Sequence, residues 1–426
     1  MKPLRVLITN ISFSGRTGTE TYTRDLALAL HSLGHEPAVY SPRPGKLANE
    51  LNSAGIQVSA DLPSFTPPDI IHGHHNLPLA LAMLRFPAVP AVFVCHDAKA
   101  WHDAPPRFAR IQHYVAVDFL CRDRLKAEGI PEERISIIGN SVDLQRFRQR
   151  GPLPMRPKRA LLFNNYASES TLAIVREACR NSGLELDVCG YGVGNVSENP
   201  EAILPDYDLV FAKARCAMEA MACGSAVILC GSEGAGPLVT CDRFDYFRNY
   251  NFGRHLLQEP LTAEYLAVQI GRYDPADAQQ VSGVARANLE LDAMTQKWLE
   301  LYRTIQPPVK QQDESEEIMQ FLLSLEASLF HLTELEGQLA WLQAKLARFE
   351  AQHAWLQAKV AWLEAARQSQ ESEIQYLRRK AIKLRGPLKR LWNFPSARPL
   401  LRLLGLRALT EERMPTSSTA RVATTG

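Results

Sequence analysis

The amino-acid sequence predicts an α/β protein in which two doubly wound lobes precede a long α-helical coiled coil. From residue 4 to about residue 150, short apolar runs alternate with helical stretches, a pattern typical of a parallel sheet with helices on both faces. The stretch 151–159 contains three prolines and breaks the alternation, which then restarts. Beyond residue 310 a heptad repeat replaces it. The predicted domains are 1–150, 151–310, 313–385 and 386–426.

The first lobe is predicted from apolar runs that are typical of strands and from one amphipathic helix. Residues 19–33 carry apolar side chains at helical spacing, and Gly34 favours an αL-type helix end. The predicted strands cover 4–11, 35–41, 69–74, 91–97 and 113–118.

The second lobe repeats this pattern on a smaller scale. Helices are predicted over 168–180 and around Glu219, and a helix over 292–305 closes the globular part. The predicted strands cover 160–166, 184–192, 207–212 and 226–231.

The composition fits a globular protein and excludes several other classes. Of the 426 residues, 46% are hydrophobic and 22% are charged, with a formal net charge of +2. The first apolar run is too short and too β-branched for a signal peptide, and no run approaches the roughly 18 apolar residues of a membrane span. The eight cysteines form no C-x-x-C pair, so buried free thiols are expected rather than disulfides or a metal site. These features predict a cytoplasmic protein.

Apolar residues recur at alternating spacings of four and three in the third region, which predicts a coiled coil of about nine heptads. The hexapeptide AWLQAK occurs at 340–345 and at 354–359, two whole heptads apart, and indicates a duplicated helical segment. Because a long single helix is unstable in water, it must pair, either in a homo-oligomer through 313–385 or with a different protein. The apolar positions are Phe321, Leu325, Leu332, Leu335, Leu339, Leu342, Leu346, Phe349, Leu356, Val360, Leu363, Ile374, Leu377 and Leu384.

The segment 378–407 contains ten Lys or Arg residues and no Asp or Glu, interleaved with Leu, Trp392 and Phe394. This pattern favours peripheral contact with an anionic membrane surface, which would be the inner face for a cytoplasmic protein. A solvated or protein-packed tail is the alternative, and nucleic acid is the least favoured partner. The last stretch, 410–426, is polar and predicted to be disordered.

A glycine-containing turn follows the first predicted strand. Gly15 and Gly18 would let the backbone approach a diphosphate without a Cβ in the way, and the helix N-terminus that follows favours an anion. A plain strand-to-helix turn is the alternative interpretation. The turn does not match G-x-G-x-x-G, which disfavours a nicotinamide cofactor.

His96 and Asp97 stand at the end of a predicted parallel strand, where ligands bind in open α/β sheets. They are the candidate catalytic residues, although a histidine at such a place is often a structural hydrogen-bonding group. His72, His74 and His75 end the neighbouring strand. No carboxylate or fourth ligand stands at a suitable spacing beside them, so no metal is predicted.

Glu219 is predicted to open a helical stretch that follows another predicted strand. A carboxylate at such a junction can accept two hydrogen bonds from ribose hydroxyls. Lys213 and Arg215 precede it and are predicted to bind phosphate oxygens, Arg215 with a bidentate fork.

Four motifs, in order, resemble those of family 4 glycosyltransferases, enzymes of the GT-B fold. EAMACGSAVI (219–228) is similar to the family's EAMACG-x-P-V-I, and VFVCHD (92–97) is similar to its V-x-T-x-H-D. The segment 14–41 resembles the family's opening glycine motif, and 115–147 resembles the run that ends its acceptor lobe. The resemblance covers about residues 4–305 and implies two Rossmann-like lobes that face a cleft.

The resemblance also implies roles for single residues. Gly18 would lie beside the donor diphosphate, His96 would face the donor sugar, and Glu219 would hold the ribose. Such enzymes transfer a sugar from a nucleoside diphosphate, usually with retention and without a metal. The chain departs from the family at Phe211, where a first glutamate is expected, and over 161–170, which contains no Arg or Lys.

The predicted function is therefore transfer of a sugar from a nucleoside-diphosphate donor to a cell-surface glycan, glycoprotein or lipid-linked acceptor, with no cofactor. Two alternatives stay open. One is a non-catalytic GT-B scaffold that works through its coiled coil, and the departures from the family pattern motivate it. The other is a sugar-nucleotide epimerase or phosphorylase of the same fold.

Overall fold

The structure is a computed structural model that describes residues 2–306 and 314–404. It divides into a first unit, Met1–Ser328, and a second unit, Leu329–Gly426. The first unit holds both lobes and the start of the long helix, and the second unit holds the rest of that helix.

A seven-stranded parallel sheet forms the first lobe. Its strands are β1 (Arg5–Thr9), β2 (Glu36–Tyr40), β3 (Val58–Ser59), β4 (Ile70–His74), β5 (Ala91–Cys95), β6 (Ile111–Ala116) and β7 (Ile135–Ile137). Their order is β3-β2-β1-β4-β5-β6-β7. The chain thus builds the sheet in one direction from β1 and in the other from β4. Doubly wound sheets bind ligands at such a reversal point.

Helices cover this sheet, and they are α1 (Gly18–Ser32), α2 (Lys46–Ser53), α3 (Asn76–Arg85) and α4 (Phe119–Ala127). Gly34, with φ of 80°, lies in the αL region just after α1, as its sequence predicts. Strands β4 and β5 are buried along their whole length, which is typical of parallel strands with both faces covered.

The second lobe contains a five-stranded sheet with strands β8 (Arg159–Phe163), β9 (Glu185–Cys189), β10 (Leu209–Ala212), β11 (Ala226–Gly231) and β12 (Gly234–Leu238). Their order is β12-β11-β10-β8-β9. Only the edge strand β12 is antiparallel. It is absent from the sequence prediction because GAGPL has no alternating apolar pattern. The helices are α5 (Glu169–Asn181), α6 (Pro200–Ile203), α7 (Ala214–Cys223), α8 (Phe244–Asn249), α9 (Ala263–Ile270) and α10 (Pro275–Asn288).

The chain crosses between the lobes twice. Val142 and Phe147 already pack in the core of the second lobe, so this lobe begins before the predicted boundary at residue 150. The closing helix α11 (Leu291–Thr304) returns to the first lobe, where its Trp298 is fully buried. A bridge between Val142 and Glu290 joins the two crossing segments. The closing helix, predicted as part of the second lobe, therefore packs with the first.

A buried ion pair anchors the long helix α12 (Ser315–Trp392) to the first lobe. Glu314, just before α12, accepts hydrogen bonds from Arg110 Nε (2.9 Å) and Nη2 (2.7 Å). The same guanidinium donates to three backbone carbonyl oxygens of the first lobe. Two turns further, Phe321 packs against Phe108 with ring centroids 5.6 Å apart.

In the second unit α12 continues as one helix to Trp392 and is followed by α13 (Arg398–Leu403). The predicted long helix is therefore confirmed. Its apolar residues are largely exposed, for example Leu339 at 57% and Leu346 at 59%. Among the described residues, no helix is both long enough and apolar enough to cross a membrane.

The Arg110–Glu314 anchor yields a stability prediction. We expect Glu314→Gln to lower the free energy of unfolding by about 3 kcal/mol, because it leaves a buried guanidinium without its counter-charge. The side chains of Arg110 and Glu314 are only 5% and 6% exposed. Urea unfolding of the full chain measures the effect, with Glu316→Gln, at an exposed position of the same helix start, as the matched control. Equal midpoints for both variants would contradict the anchoring role.

Candidate active site

A cleft within the first unit lies between the two lobes. From the first lobe it is lined by Gly18, Thr21 and Arg24 of α1, and from the second by Phe163 and Asn165 at the end of β8. The lining residues surround about 570 Å³, including the part open to solvent. The strand ends of the second sheet and the amino-terminal part of α1 therefore meet at one place.

Four arginine side chains line this cleft. They are Arg16, Arg24, Arg146 and Arg215, and Glu219 is the carboxylate beside them. Two of the residues predicted for the donor site, Arg215 and Glu219, are thus brought together with Gly18.

A buried charge network joins the two lobes across the cleft. Arg215 of α7 pairs with Asp25 of α1 and also donates from Nε to Glu219 at 2.9 Å. Arg24 donates to the same Asp25 carboxylate, 2.8 Å from its Nε. Arg146 lies 3.9 Å from Asp25. Glu219 lies in the second turn of α7 rather than at its start.

The two carboxylates of this network differ in pKa. Burial acts to raise the pKa of Asp25, but the guanidinium groups of Arg215 and Arg24 outweigh it and lower that pKa. Burial is the stronger influence at Glu219 and raises its pKa in spite of Arg215. Asp25 is therefore the carboxylate that most firmly balances the charge of Arg215.

The glycine-containing turn is held by a carboxylate of its own. Glu20 accepts hydrogen bonds from the backbone N–H groups of Ser14 (3.0 Å), Gly15 (3.1 Å) and Thr17 (3.0 Å). The Gly15 N–H is thus already bonded within the turn. Of the two predicted glycines, only Gly18 lies among the residues that line the cleft.

Lys213 has a partner outside the arginine group. Its ammonium pairs with Glu233, and Arg254 approaches the same carboxylate at 3.5 Å. The next residue, Ala214, has φ of 50°, a conformation that costs energy in residues other than glycine. Its N–H donates to the Phe252 carbonyl at 2.7 Å. This bond fixes the start of α7. Lys213 and Arg215, which flank Ala214, pair with different carboxylates.

His96 follows β5 and is held on both sides. Its Nε2 lies 2.7 Å from His74 Nδ1, and its backbone N–H donates to Asp103 at 3.0 Å. The ring of Tyr22 packs edge-on against it at 5.2 Å. Burial lowers the pKa of His96 to about 3, so the imidazole is neutral at pH 7 and acts as a hydrogen-bonding group.

Asp97, the other candidate catalytic residue, shapes the turn after β5. Its Oδ1 accepts the N–H groups of Lys99 (2.6 Å) and Ala100 (2.9 Å). Burial acts to raise the pKa of Asp97, and these backbone bonds more than offset it, so the pKa is lowered. The geometry gives this carboxylate a turn-forming role.

His74 and His72 form a buried chain of side chains that begins at His96. His72 Nδ1 lies 2.6 Å from the Tyr302 hydroxyl, and the His72 and His74 rings are 4.6 Å apart. Tyr22 accepts a hydrogen bond from Trp298 Nε1 at 2.7 Å. The sequence prediction lacks Tyr302 and Trp298 as site neighbours, because more than 200 residues separate them from their partners.

His75, His102 and Asp103 have ligand atoms within 4.8 Å of one another. His75 Nδ1 accepts the N–H of Ile11 at 3.2 Å, so the neutral ring carries its proton on Nε2. Ligation by His75 would require breaking that bond or removing that proton. The prediction that the chemistry needs no metal stays a prediction.

Arg248, on α8, is a buried cation that the sequence prediction does not include. Burial lowers its pKa to about 10. Its Nη1 donates to Asn251 at 2.8 Å, and no carboxylate among residues 2–306 and 314–404 lies within 4.0 Å of its guanidinium. It lies against Gly139, where a Cβ would come within 2.6 Å of Nη1. Glycine at 139 is therefore required for Arg248 to reach this place.

The departures from the family pattern have structural counterparts. Phe211 is fully buried in β10, so its position belongs to the core of the second lobe. The segment 161–170 ends β8 and presents Phe163 and Asn165 to the cleft. Cations reach the cleft from α1 and α7, with Arg146 from the crossing segment.

Two doubly wound lobes with this cleft between them define the GT-B fold, and the predicted fold is confirmed. Residues 16–146 match the family model described as Glycosyltransferase Family 4. The resemblance seen in the motifs is thus confirmed over these residues.

Solved structures agree on the fold. A glycosyltransferase from Rickettsia africae ESF-5 is 17% identical with a TM-score of 0.53, covering 72% of this chain and 99% of that one. HepE from Anabaena, in complex with UDP-glucose, is 14% identical with a TM-score of 0.53, covering 71% and 100%. Sucrose-phosphate synthase from Thermosynechococcus elongatus is 14% identical with a TM-score of 0.50, covering 71% and 98%. No curated protein sequence matches the chain.

Asp103 yields a pH prediction. Burial raises its pKa to about 7, against about 3.9 in an unfolded chain. Between pH 4 and 7 the unfolded state therefore loses the Asp103 proton first, and the contribution of Asp103 to the free energy of unfolding falls as the pH rises. We expect Asp103→Asn to remove this decline, which amounts to at most about 4 kcal/mol of unfolding free energy by pH 7. Urea unfolding at several pH values measures this difference, and the exposed Asp123→Asn variant is the control. Parallel pH profiles for the wild type and Asp103→Asn would refute the prediction.

Proposed function

We propose that the protein transfers a sugar from a nucleoside-diphosphate donor to a cell-surface glycan, glycoprotein or lipid-linked acceptor, with retention and without a metal. The observation that carries this proposal is the interlobe cleft that four arginines and Glu219 line together. Guanidinium groups and a carboxylate that line one cleft suit a ligand with an anionic diphosphate and a neutral diol.

The diphosphate is assigned to the arginines. A guanidinium can form two parallel hydrogen bonds to phosphate oxygens, and Arg215 and Arg24 are already oriented by Asp25. Fixed cations that face the departing nucleoside diphosphate stabilise its developing charge without reorganisation. The start of α1, at Gly18, adds the positive end of a helix dipole.

The ribose is assigned to Glu219. One of its oxygens already accepts from Arg215, and an ionised carboxylate can accept about four hydrogen bonds. Glu219 can therefore hold ribose hydroxyls while it keeps Arg215 in place. His96 is assigned to the donor sugar as a neutral hydrogen-bonding group, since burial holds its pKa at about 3.

The donor panel should begin with uridine nucleotides. The HepE structures contain UDP or UDP-glucose, and these proteins share the fold of this chain. The sugar and the acceptor are left to experiment, because specificity resides in site contacts rather than in the fold.

A non-catalytic GT-B scaffold is the second candidate. The specific observation in its favour is that Asp25 already occupies Arg215, while Phe211 supplies no carboxylate at the position of the family's first glutamate. A donor must then compete with a protein carboxylate for the same guanidinium. Release of nucleoside diphosphate from a donor by the full chain, with a suitable acceptor extract, separates an enzyme from a scaffold. An epimerase would instead change the donor sugar with no acceptor present.

Donor binding tests the site directly. Isothermal titration of the full chain with UDP-, GDP-, ADP- and dTDP-sugars should show one preferred donor. We expect Glu219→Ala to weaken it at least about tenfold, because loss of a hydrogen bond involving a charged group costs about 1.5–3 kcal/mol.

The matched control is Glu233→Ala, which removes a carboxylate that pairs with Lys213 and Arg254. It should leave the affinity within about twofold if the ribose site is at Glu219. Failure of the wild-type chain to bind any donor, or equal losses in both variants, would count against the assigned site.

We also propose that the basic segment makes peripheral contact with an anionic membrane. Its described part includes Arg378, Arg379 and Lys380 on α12, which are exposed. Vesicle co-sedimentation of the full chain should show binding to phosphatidylglycerol and none to phosphatidylcholine. Triple replacement of these residues by Gln should weaken it on the order of a hundredfold, at about 1 kcal/mol per charge. Binding that is insensitive to salt and to this change would exclude an electrostatic contact.

A further inference from the structure

We propose that α12 pairs with the same helix of a second copy of this chain, parallel and in register. The heptad spacing alone predicts pairing without direction. The side chains that flank the apolar row of α12 supply both direction and register.

The apolar row occupies the two core positions of each heptad, a and d. Leu339 and Leu346 stand at a, and Leu342 and Phe349 stand at d. Each of these four side chains is more than half exposed in the single chain. By contrast, Phe321 of the same row is buried against the first lobe. The row beyond the first unit is therefore an apolar face with the spacing of a coiled-coil seam, and no other part of the described chain covers it.

The flanking positions g and e carry complementary charges for a parallel pair. In such a pair, position g of one helix faces position e of the next heptad on the other, five residues further along. Lys345 then faces Glu350 of the second copy, and Lys359 faces Glu364. The two-fold symmetry forms each of these contacts twice. Further along, Glu373 faces Arg378 in the same way.

The heptads between these charges carry glutamine at both positions. Gln338 faces Gln343, and Gln352 faces Gln357. Lysine–glutamate and glutamine–glutamine contacts thus alternate with the period of the AWLQAK duplication. A slip of one heptad would place Lys345 opposite glutamine and leave its charge unmatched.

An antiparallel pair centred in this segment would bring g against g and e against e. Lys345 and Lys359 would then face lysine or glutamine, and Glu350 and Glu364 would face glutamate or glutamine. Like charges opposite one another are destabilising. The pattern therefore favours the parallel direction.

The polar core positions strengthen the choice of register. Arg367 stands at an a position and pairs with Glu371 of its own helix at 3.6 Å. In register the two Arg367 guanidinium groups of the pair meet, and the Glu371 carboxylate bonded to each of them offsets their repulsion. A slip of one heptad would place this charge against Val360 or Ile374 instead. A polar residue at a core position is a known means of fixing register, at some cost in stability.

Aromatic side chains orient the lysines of these contacts. Lys345 Nζ lies 4.9 Å from the centre of the Trp341 ring, and Lys359 Nζ lies 4.8 Å from that of Trp355. Each tryptophan is one turn before its lysine, at a c position, which adjoins the g position on the helix surface. The cation–π contact limits the freedom of the lysine and so lowers the entropy cost of pairing with glutamate. Parallel pairing also brings two basic segments to the same end of the coil, where two tethered sites bind a surface more strongly than one.

Cysteine cross-linking of the full chain tests direction and register. Leu342→Cys, at a d position, should give a disulfide-linked dimer under mild oxidation, because identical d residues face each other only in a parallel, in-register pair. Ala344→Cys, on the outer face, is the matched control and should give little. The unaltered chain is a second control, because it shows how much cross-linking the eight native cysteines give by themselves. Equal cross-linking in both variants, or none in the first, would overturn the proposal.

Charge reversal tests the flanking contacts independently. Lys345→Glu with Lys359→Glu should weaken self-association in sedimentation equilibrium roughly tenfold or more, since four attractive contacts become repulsive. Adding Glu350→Lys and Glu364→Lys should restore it. A monomeric wild-type chain at micromolar concentration, or failure of the second pair of changes to rescue the first, would contradict parallel pairing. Neither outcome bears on sugar transfer, which is read from donor binding alone.

Discussion

The buried pair of Asp25 and Arg215 is the interaction on which the candidate site depends. Asp25 belongs to the first lobe and Arg215 to the second, and both side chains are almost completely withdrawn from water. A buried charge without its partner is costly, so the pair favours the arrangement in which α1 and α7 line one cleft. Arg24 and Glu219 extend the same network. The lobes are thus joined by the groups to which we assign donor binding.

In this arrangement the proposed anion contacts come from side chains rather than from backbone groups. In the glycine-containing turn, Glu20 already accepts three backbone N–H groups, which stabilises the turn but occupies those donors. Arginines from α1, α7 and the crossing segment supply cations instead. The lack of Arg and Lys over 161–170 is therefore matched by cations that reach the cleft from other elements. A chain of neutral histidines supports His96 without adding charge.

Part of the site could be predicted from the sequence, because strand-to-helix junctions of a doubly wound sheet converge on the ligand edge. Gly18, Arg215 and Glu219 were placed near one ligand by this rule together with the family resemblance, and the structure brings them to one cleft. Asp25 lies 190 residues from Arg215 in sequence, and no local pattern signals their pairing. Arg248 and Tyr302 were missed for the same reason. Lys213 shares the local pattern of Arg215 but pairs with Glu233.

The sequence by itself determined the elements whose periodicity is local: the buried parallel strands, the helices with an apolar face and the heptad row of α12. Only the tertiary structure decided where the lobes exchange segments. The closing helix α11 follows the second lobe in sequence, yet it buries Trp298 and Tyr302 in the first. An amphipathic pattern specifies that a face must be buried but not against which partner. That choice depends on complementary packing and on long-range pairs such as Arg110–Glu314, which only the folded chain brings together.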